Sequence, residues 1–179
     1  MKYIVVPEGL SINSKQTPIP SFIFRQIIEY LSLIIKKNDE IYFAPANSFG
    51  LGISEQVAGK NYFQEICENV NEIKIFYVSI CSKGYIDTLG NATLLKKQFP
   101  KLSSENIDLI SANMHSKRAF FCFKSVGFNI RKLHKVQYDI VNEKIVRRLW
   151  YYKYPKFHRL YEVMAFIKDF INIKFCSNR

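Results

Sequence analysis

Two short segments of this 179-residue chain place chemistry-bearing residues at useful spacings. In ISANMHSKRA (residues 110–119), His115 and Arg118 stand three apart where an apolar run gives way to helical spacing. A helix start furnished with a His and an Arg suits an anionic or phosphorylated ligand, since the helix amides and the guanidinium both favour negative charge. His115, with an ordinary pKa near ~6.5, can also move a proton at neutral pH. In IDTLGNA (residues 86–92), Thr88 and Asn91 stand three apart at another helix start, on one face. They are equally suited to capping and decorating a helix. Glu8 follows the first apolar run, where the floor of a pocket would lie. It is either a general base or ligand contact there, or a loop acid in solvent. Asp87, Glu8 and Glu55 are the candidate carboxylate partners for His115.

The elements that must position these residues alternate along the chain. KYIVV (2–6), EIYFAP (40–45), IKIFYVS (73–79) and IDLISA (107–112) read as strands, and the stretch beginning NIRKLHKVQYDI offers a fifth. Helices are expected from Ser21 through two lysines at 36–37, from Ser54-Glu55 to Cys67, from Asp87 or Thr88 to Lys97, and from His115 to Val126, with Gly127 as a stop. Residues 7–20, with Pro7, Gly9, Pro18 and Pro20, read as a loop. Alternating strands and helices imply right-handed crossovers and a mainly parallel sheet covered on both faces. The expected class is therefore α/β: a Rossmann-like three-layer sandwich of about five strands with a C-terminal helical appendage. Ligands of such sheets bind beyond the carboxyl ends of the strands. That rule gathers Glu8, Asn47, Glu55, Asp87, Thr88, Asn91, His115 and Arg118 as one prospective site, with Arg25 on the first helix as a further ligand-binding candidate.

The order of these features resembles the YdcF-like family, the group of SanA- and ElyC-type domains. The matching residues are Arg25, Ser54-Glu55, Asp87-Thr88, Asn91-Ala92, His115, Arg118-Ala119 and Gly127, over about residues 3–135. The chain departs from the family pattern at Pro7-Glu8-Gly9 after the first strand, at ANSFG after the second, and at Tyr85, where a Ser is usual. It also lacks the family's membrane-spanning segments. The resemblance implies a role in cell-envelope or polysaccharide metabolism. It further implies a nucleotide-type ligand, S-adenosylmethionine among the candidates.

Composition narrows the remaining possibilities. Apolar residues at 48% and charged residues at 23% describe a globular chain, not a disordered one. The four cysteines (Cys67, Cys81, Cys122, Cys176) lack CxxC or zinc-ligand spacing and read as free thiols in a reducing compartment. Without a leader or a transmembrane-length apolar run, the expectation is a cytoplasmic protein. The net charge of +11 is uneven: twelve of the 26 Lys/Arg but only four of the 15 acids lie from residue 131 onward. Residues 1–140 are accordingly read as the α/β domain. Residues 141–179 are read as a basic, aromatic helical segment packed on it through an apolar stripe at Leu160, Val163, Ile167 and Phe170. That segment also suits the surface of an anionic membrane and, less well, nucleic acid. Two function classes follow. One is a pocket protein, with or without catalysis, acting on an anionic small molecule; the other is a non-catalytic sensor docking through its basic tail.

Overall fold

Strand β1 (Lys2–Val5) forms the middle of a five-stranded sheet in the computed structural model, which describes residues 1–68, 70–78 and 84–176, the last without its side chain. β1 pairs in parallel with β4 (Glu40–Phe43) on one side and β6 (Ile107–Ala112) on the other. Outside them run β5 (Lys74–Tyr77) and β7 (Ile130–Val136), also parallel, giving the order β5-β4-β1-β6-β7. Successive residues of β1 feed two separate cores, which explains why the strand is apolar without alternation. Tyr3 and Val5 join Ile27, Leu31, Phe43 and Phe63 on one face, whereas Ile4 and Val6 join Ala92, Leu95, Ala119 and Phe123 on the other.

Helices α1 (Phe22–Ile34) and α2 (Glu55–Ile66) cover the first face; α3 (Thr88–Gln98) and α4 (Ser116–Val126) cover the second. The expected Rossmann-like class and strand count are therefore what the chain adopts. Local signals fix several boundaries as anticipated. The Ser21 side chain accepts the Phe24 N–H at the start of α1, Asp87 accepts that of Gly90 at the start of α3, and Gly127 (φ +100°) closes α4. Others differ. His115 is the N-cap of α4 and not its first turn, Ser54 makes no side-chain cap, and the lysines at 36–37 lie beyond the end of α1. Cys81, the end of the 73–79 strand reading at Ser79, and the side chain of Cys176 fall outside the described residues; Cys67 and Cys122 are free thiols.

The segment 7–20 is not a plain loop. It contains a two-stranded antiparallel hairpin, β2 (Leu10–Ile12) with β3 (Pro18–Pro20). Three-residue strands with two prolines carry no readable alternation, and proline is tolerated because such a ribbon is all edge. Beyond β7 the chain returns to this hairpin, where Ile145 bridges Ser11. It then makes 3-10 turns over Arg147–Lys153, burying Leu149, Tyr151 and Tyr152, and ends in α5 (Pro155–Cys176) against α4. The apolar stripe expected to pack inward stays largely open: Leu160, Val163, Ile167 and Phe170 are all exposed, although Phe170 stacks on Phe121 of α4. Instead α5 buries His158, Glu162 and Asp169. Among the described residues no helix is long and apolar enough to cross a membrane.

Candidate functional site

The chain leaves β1 for the β4 side and later returns through α3 to β6, so the topological switch point lies between the carboxyl ends of β1 and β6. Glu8 stands three residues past the end of β1, and His115 three residues past the end of β6. Their side chains meet there, with Glu8 Oε1 2.6 Å from His115 Nδ1, both almost fully buried. The other ring nitrogen, Nε2, lies 3.0 Å from Thr88 Oγ1 at the start of α3. With the ring neutral and Nδ1 carrying the proton toward Glu8, Nε2 accepts the Thr88 hydroxyl. The three side chains then form a carboxylate–imidazole–hydroxyl relay. Ser111 and Tyr152 also donate to Glu8, at 3.4 and 3.2 Å. Burial pushes the imidazole toward its neutral form, but the Glu8 carboxylate outweighs it and holds the His115 pKa above its ordinary value.

Thr88 Oγ1 receives a second group: Arg118 Nη1 donates to it at 2.6 Å. Arg118, from the first turns of α4, is held in a bidentate grip by Glu162 of α5, Nε to Oε2 at 2.7 Å and Nη2 to Oε1 at 2.9 Å. Asp169 Oδ2 lies 3.5 Å from Nη1. Burial pushes the Glu162 carboxyl up, yet the charges of His115 and Arg118 overcome it and keep it below the usual range. Asp169, also buried, is pushed up on balance.

Of the residues singled out in the sequence, Glu8, Asn47, Glu55, Asp87, Thr88, Asn91, His115 and Arg118 line one cavity, with Tyr85, Tyr152 and Tyr161. Glu8, not Asp87 or Glu55, is the carboxylate on His115. Asp87 caps α3 and pairs with Lys168 at 2.7 Å, which keeps its carboxyl low against the effect of burial. Glu55 accepts the Gly9 and Asn47 amides at 2.5 and 3.1 Å; burial nevertheless lifts its pKa to about 7. Gly9 has φ +89°, and a Cβ there would lie 2.3 Å from Leu149 Cδ1, so only glycine lets the chain turn under the cavity. Asn47 ties the loop after β4 to Ile86 through both its amide atoms, at 2.9 and 2.8 Å. Among the described residues, the buried Asn91 Oδ1 has no hydrogen-bond partner. Arg25 lies apart from this cavity, donating to the Pro20 carbonyl and to Glu143 at 2.7 and 2.5 Å.

Sequence reasoning missed Tyr152, Glu162 and Asp169. A signal existed: the two acids are the only ones in α5 and stand seven apart, two turns on one face. Leu149, Tyr151, Tyr152 and Tyr161 from the C-terminal segment line the crevice, which keeps about 40 Å³, room for water-sized groups. A larger groove of about 540 Å³ opens on the far side of the Arg118–Glu162 pair, between the start of α4 and α5. Lys117 and Arg159 stand at its edge, and Met114, Val163, Phe166 and Ile167 give it apolar walls. Among the described residues, no group of three or more His, Cys, Asp or Glu side chains is arranged to hold a metal ion.

Fold and site together define a Rossmann-like α/β protein with a buried Glu8–His115–Thr88 hydrogen-bonded chain at its switch point. Compared with family models, curated proteins and solved structures, the chain finds no match.

Proposed function

We propose that this chain binds a phosphorylated or nucleotide-type small molecule at Arg118 and Thr88, with the Glu8–His115 relay as its proton-transfer unit. One observation carries the reading. Arg118 Nη1 and His115 Nε2 converge on a single oxygen, Thr88 Oγ1, at 2.6 and 3.0 Å, in a cavity also lined by Asn91, whose Oδ1 is unpartnered among the described residues. A hydroxyl held by a guanidinium and a carboxylate-backed imidazole is a unit for deprotonation, whether the proton removed is its own or that of a ligand hydroxyl.

The closed cavity is too small for such a ligand, and Glu162 occupies the guanidinium fork. Glu162 therefore stands where the ligand's anionic group would bind, since carboxylate and phosphate make the same bidentate contact with arginine. The body of the ligand would lie in the adjoining groove, whose volume falls in the usual range for small-molecule sites. Lys117 and Arg159 add positive charge at its edge. The order of motifs resembling the YdcF-like family supports a ligand from cell-envelope or polysaccharide metabolism.

The test is a thermal-shift titration of the intact protein with nucleoside mono- and diphosphates, sugar phosphates and S-adenosylmethionine. At least one phosphorylated compound should stabilise the protein saturably. Thr88→Val keeps the side-chain shape and the Arg118–Glu162 pair, and should weaken that compound about tenfold, the worth of one hydrogen bond to a charged group. No response to any phosphorylated compound at millimolar concentration, or equal binding by T88V, refutes the proposal.

A further inference from the structure

The outward face of α5 presents Phe157, Leu160, Met164, Ile167, Ile171 and Phe175, spaced three and four apart, as an unbroken apolar stripe. Each is between 48% and 68% exposed, so the stripe is open along the helix. At its amino-terminal end the exposed rings of Trp150 and Tyr154 gather around Phe157, with Trp150 centroid distances of 5.5 Å to Phe157 and 6.0 Å to Tyr154. An exposed apolar face of this extent marks an interaction surface.

The charges of α5 decide what covers it. Its only acids, Glu162 and Asp169, are buried beneath the helix against Arg118. Its cations, Lys156, Arg159, Lys168 and Lys174, are all exposed. Lys156 and Lys174 stand at the two ends of the stripe, and Arg159 and Lys168 flank it, the latter pairing with Asp87. The surface thus offers apolar side chains and positive charge with no exposed acid on the helix. A second copy of the chain would oppose cation to cation. Nucleic acid would satisfy the cations but leave the aliphatic residues uncovered. A bilayer containing anionic lipid satisfies both, with apolar side chains at the acyl boundary, lysines reaching the phosphates, and Trp and Tyr at headgroup level.

We propose that α5 docks this face into the headgroup–acyl boundary of an anionic membrane, lying in the plane of the surface. The face is separate from the buried Glu8–His115–Thr88 chain, although Ile167 also lines the groove beside Arg118, so docking is tested on the protein without added ligand.

The experiment is co-sedimentation of the full chain with phosphatidylcholine vesicles, with and without phosphatidylglycerol. Trp150, the only tryptophan in the sequence, serves as an internal reporter. The protein should pellet with the mixed vesicles and not with phosphatidylcholine alone, and Trp150 emission should shift to the blue. Lys156→Gln with Lys174→Gln should lower partitioning roughly 30-fold, about fivefold per cation near an anionic surface. Leu160→Glu with Ile167→Glu should abolish it. All four positions are exposed, so far-UV dichroism and the melting temperature should not change, which separates lost docking from lost folding. Failure of the unmodified protein to pellet with mixed vesicles overturns the proposal, as does undiminished binding by the L160E/I167E variant. A stable dimer or retention of generic DNA without vesicle binding also overturns it, assigning the face to a second copy or to nucleic acid.

Discussion

Replacing Glu162 by Ala removes the two oxygens that hold Arg118 at 2.7 and 2.9 Å. The guanidinium, only 8% exposed, keeps Thr88 Oγ1 and the more distant Asp169 Oδ2 at 3.5 Å. Removing one partner of a buried ion pair costs about 3–5 kcal/mol, because the other charge stays buried without compensation. Asp169 remains close enough to share the charge, which places the loss near the lower end, about 3 kcal/mol. For a domain of this size that lowers Tm by roughly 6–12 °C. The space vacated by the carboxylate adjoins the groove between α4 and α5, so a small anion from solution can take its place. The assay is thermal unfolding of the unmodified protein and E162A in chloride buffer with increasing acetate. The variant should regain about 2.7 kcal/mol when acetate reaches a hundred times its Kd, while the unmodified protein, whose fork is occupied, should not respond. Combining E162A with Arg118→Met removes both charges and should restore most of the stability without acetate. A loss below about 1 kcal/mol, or no acetate response in E162A, would refute the assignment of Arg118 as an anion-binding fork.

Two further outcomes follow from the buried groups. Burial raises the folded-state pKa of Glu55 from 4.5 to about 7, so between these values the folded chain holds a proton that the unfolded chain has released. Stability should therefore fall as pH rises through that window, by at most about 1.4 kcal/mol per pH unit, and urea titrations of Glu55→Gln should show a flatter profile. A Cβ on Gly59 would lie 2.5 and 2.6 Å from ring atoms of the fully buried Phe24, so Gly59→Ala should cost about 1–3 kcal/mol by overpacking α2 against α1, measured as a lower urea midpoint.

The main sheet was legible because parallel strands covered on both faces are short apolar runs bounded by breakers. KYIV, EIYF, KIFY and IDLISA are such runs, and Ser21, Asp87 and Gly127 mark helix ends through side-chain or backbone chemistry local to each position. The gathering of Glu8, Asn47, Glu55, Thr88 and His115 followed from topology alone, since every strand points its carboxyl end the same way. Which carboxylate meets His115 did not follow, because Asp87 and Glu8 both lie on the correct rim. Their separation depends on the strand order, which pairs β1 directly with β6, and on Lys168, which engages Asp87. The hairpin formed by β2 and β3 was invisible for a different reason: three residues are too few for a period, and two of those in β3 are proline.

The orientation of α5 shows the deeper difficulty. Hydrophobic periodicity reports which residues share a face, but whether that face points inward is decided by what it meets. Here the inward position is contested by Arg118, whose buried guanidinium needs carboxylate partners, which Glu162 and Asp169 of α5 supply. Leaving that charge unpaired costs more than exposing any one apolar side chain, about 3–5 against roughly 1.5–3 kcal/mol. No single residue settles the orientation, however, because the whole apolar stripe is exposed. The polar side wins because Glu162 and Asp169 engage Arg118, Lys168 reaches Asp87, and His158 is buried with Tyr138 2.9 Å from its Nδ1, all from the same helix. The same arrangement that closes the relay thus turns the apolar stripe outward. A partner that covers the stripe would remove the remaining cost of this orientation, so docking of the outer face and closure of the Arg118 site should stabilise one another.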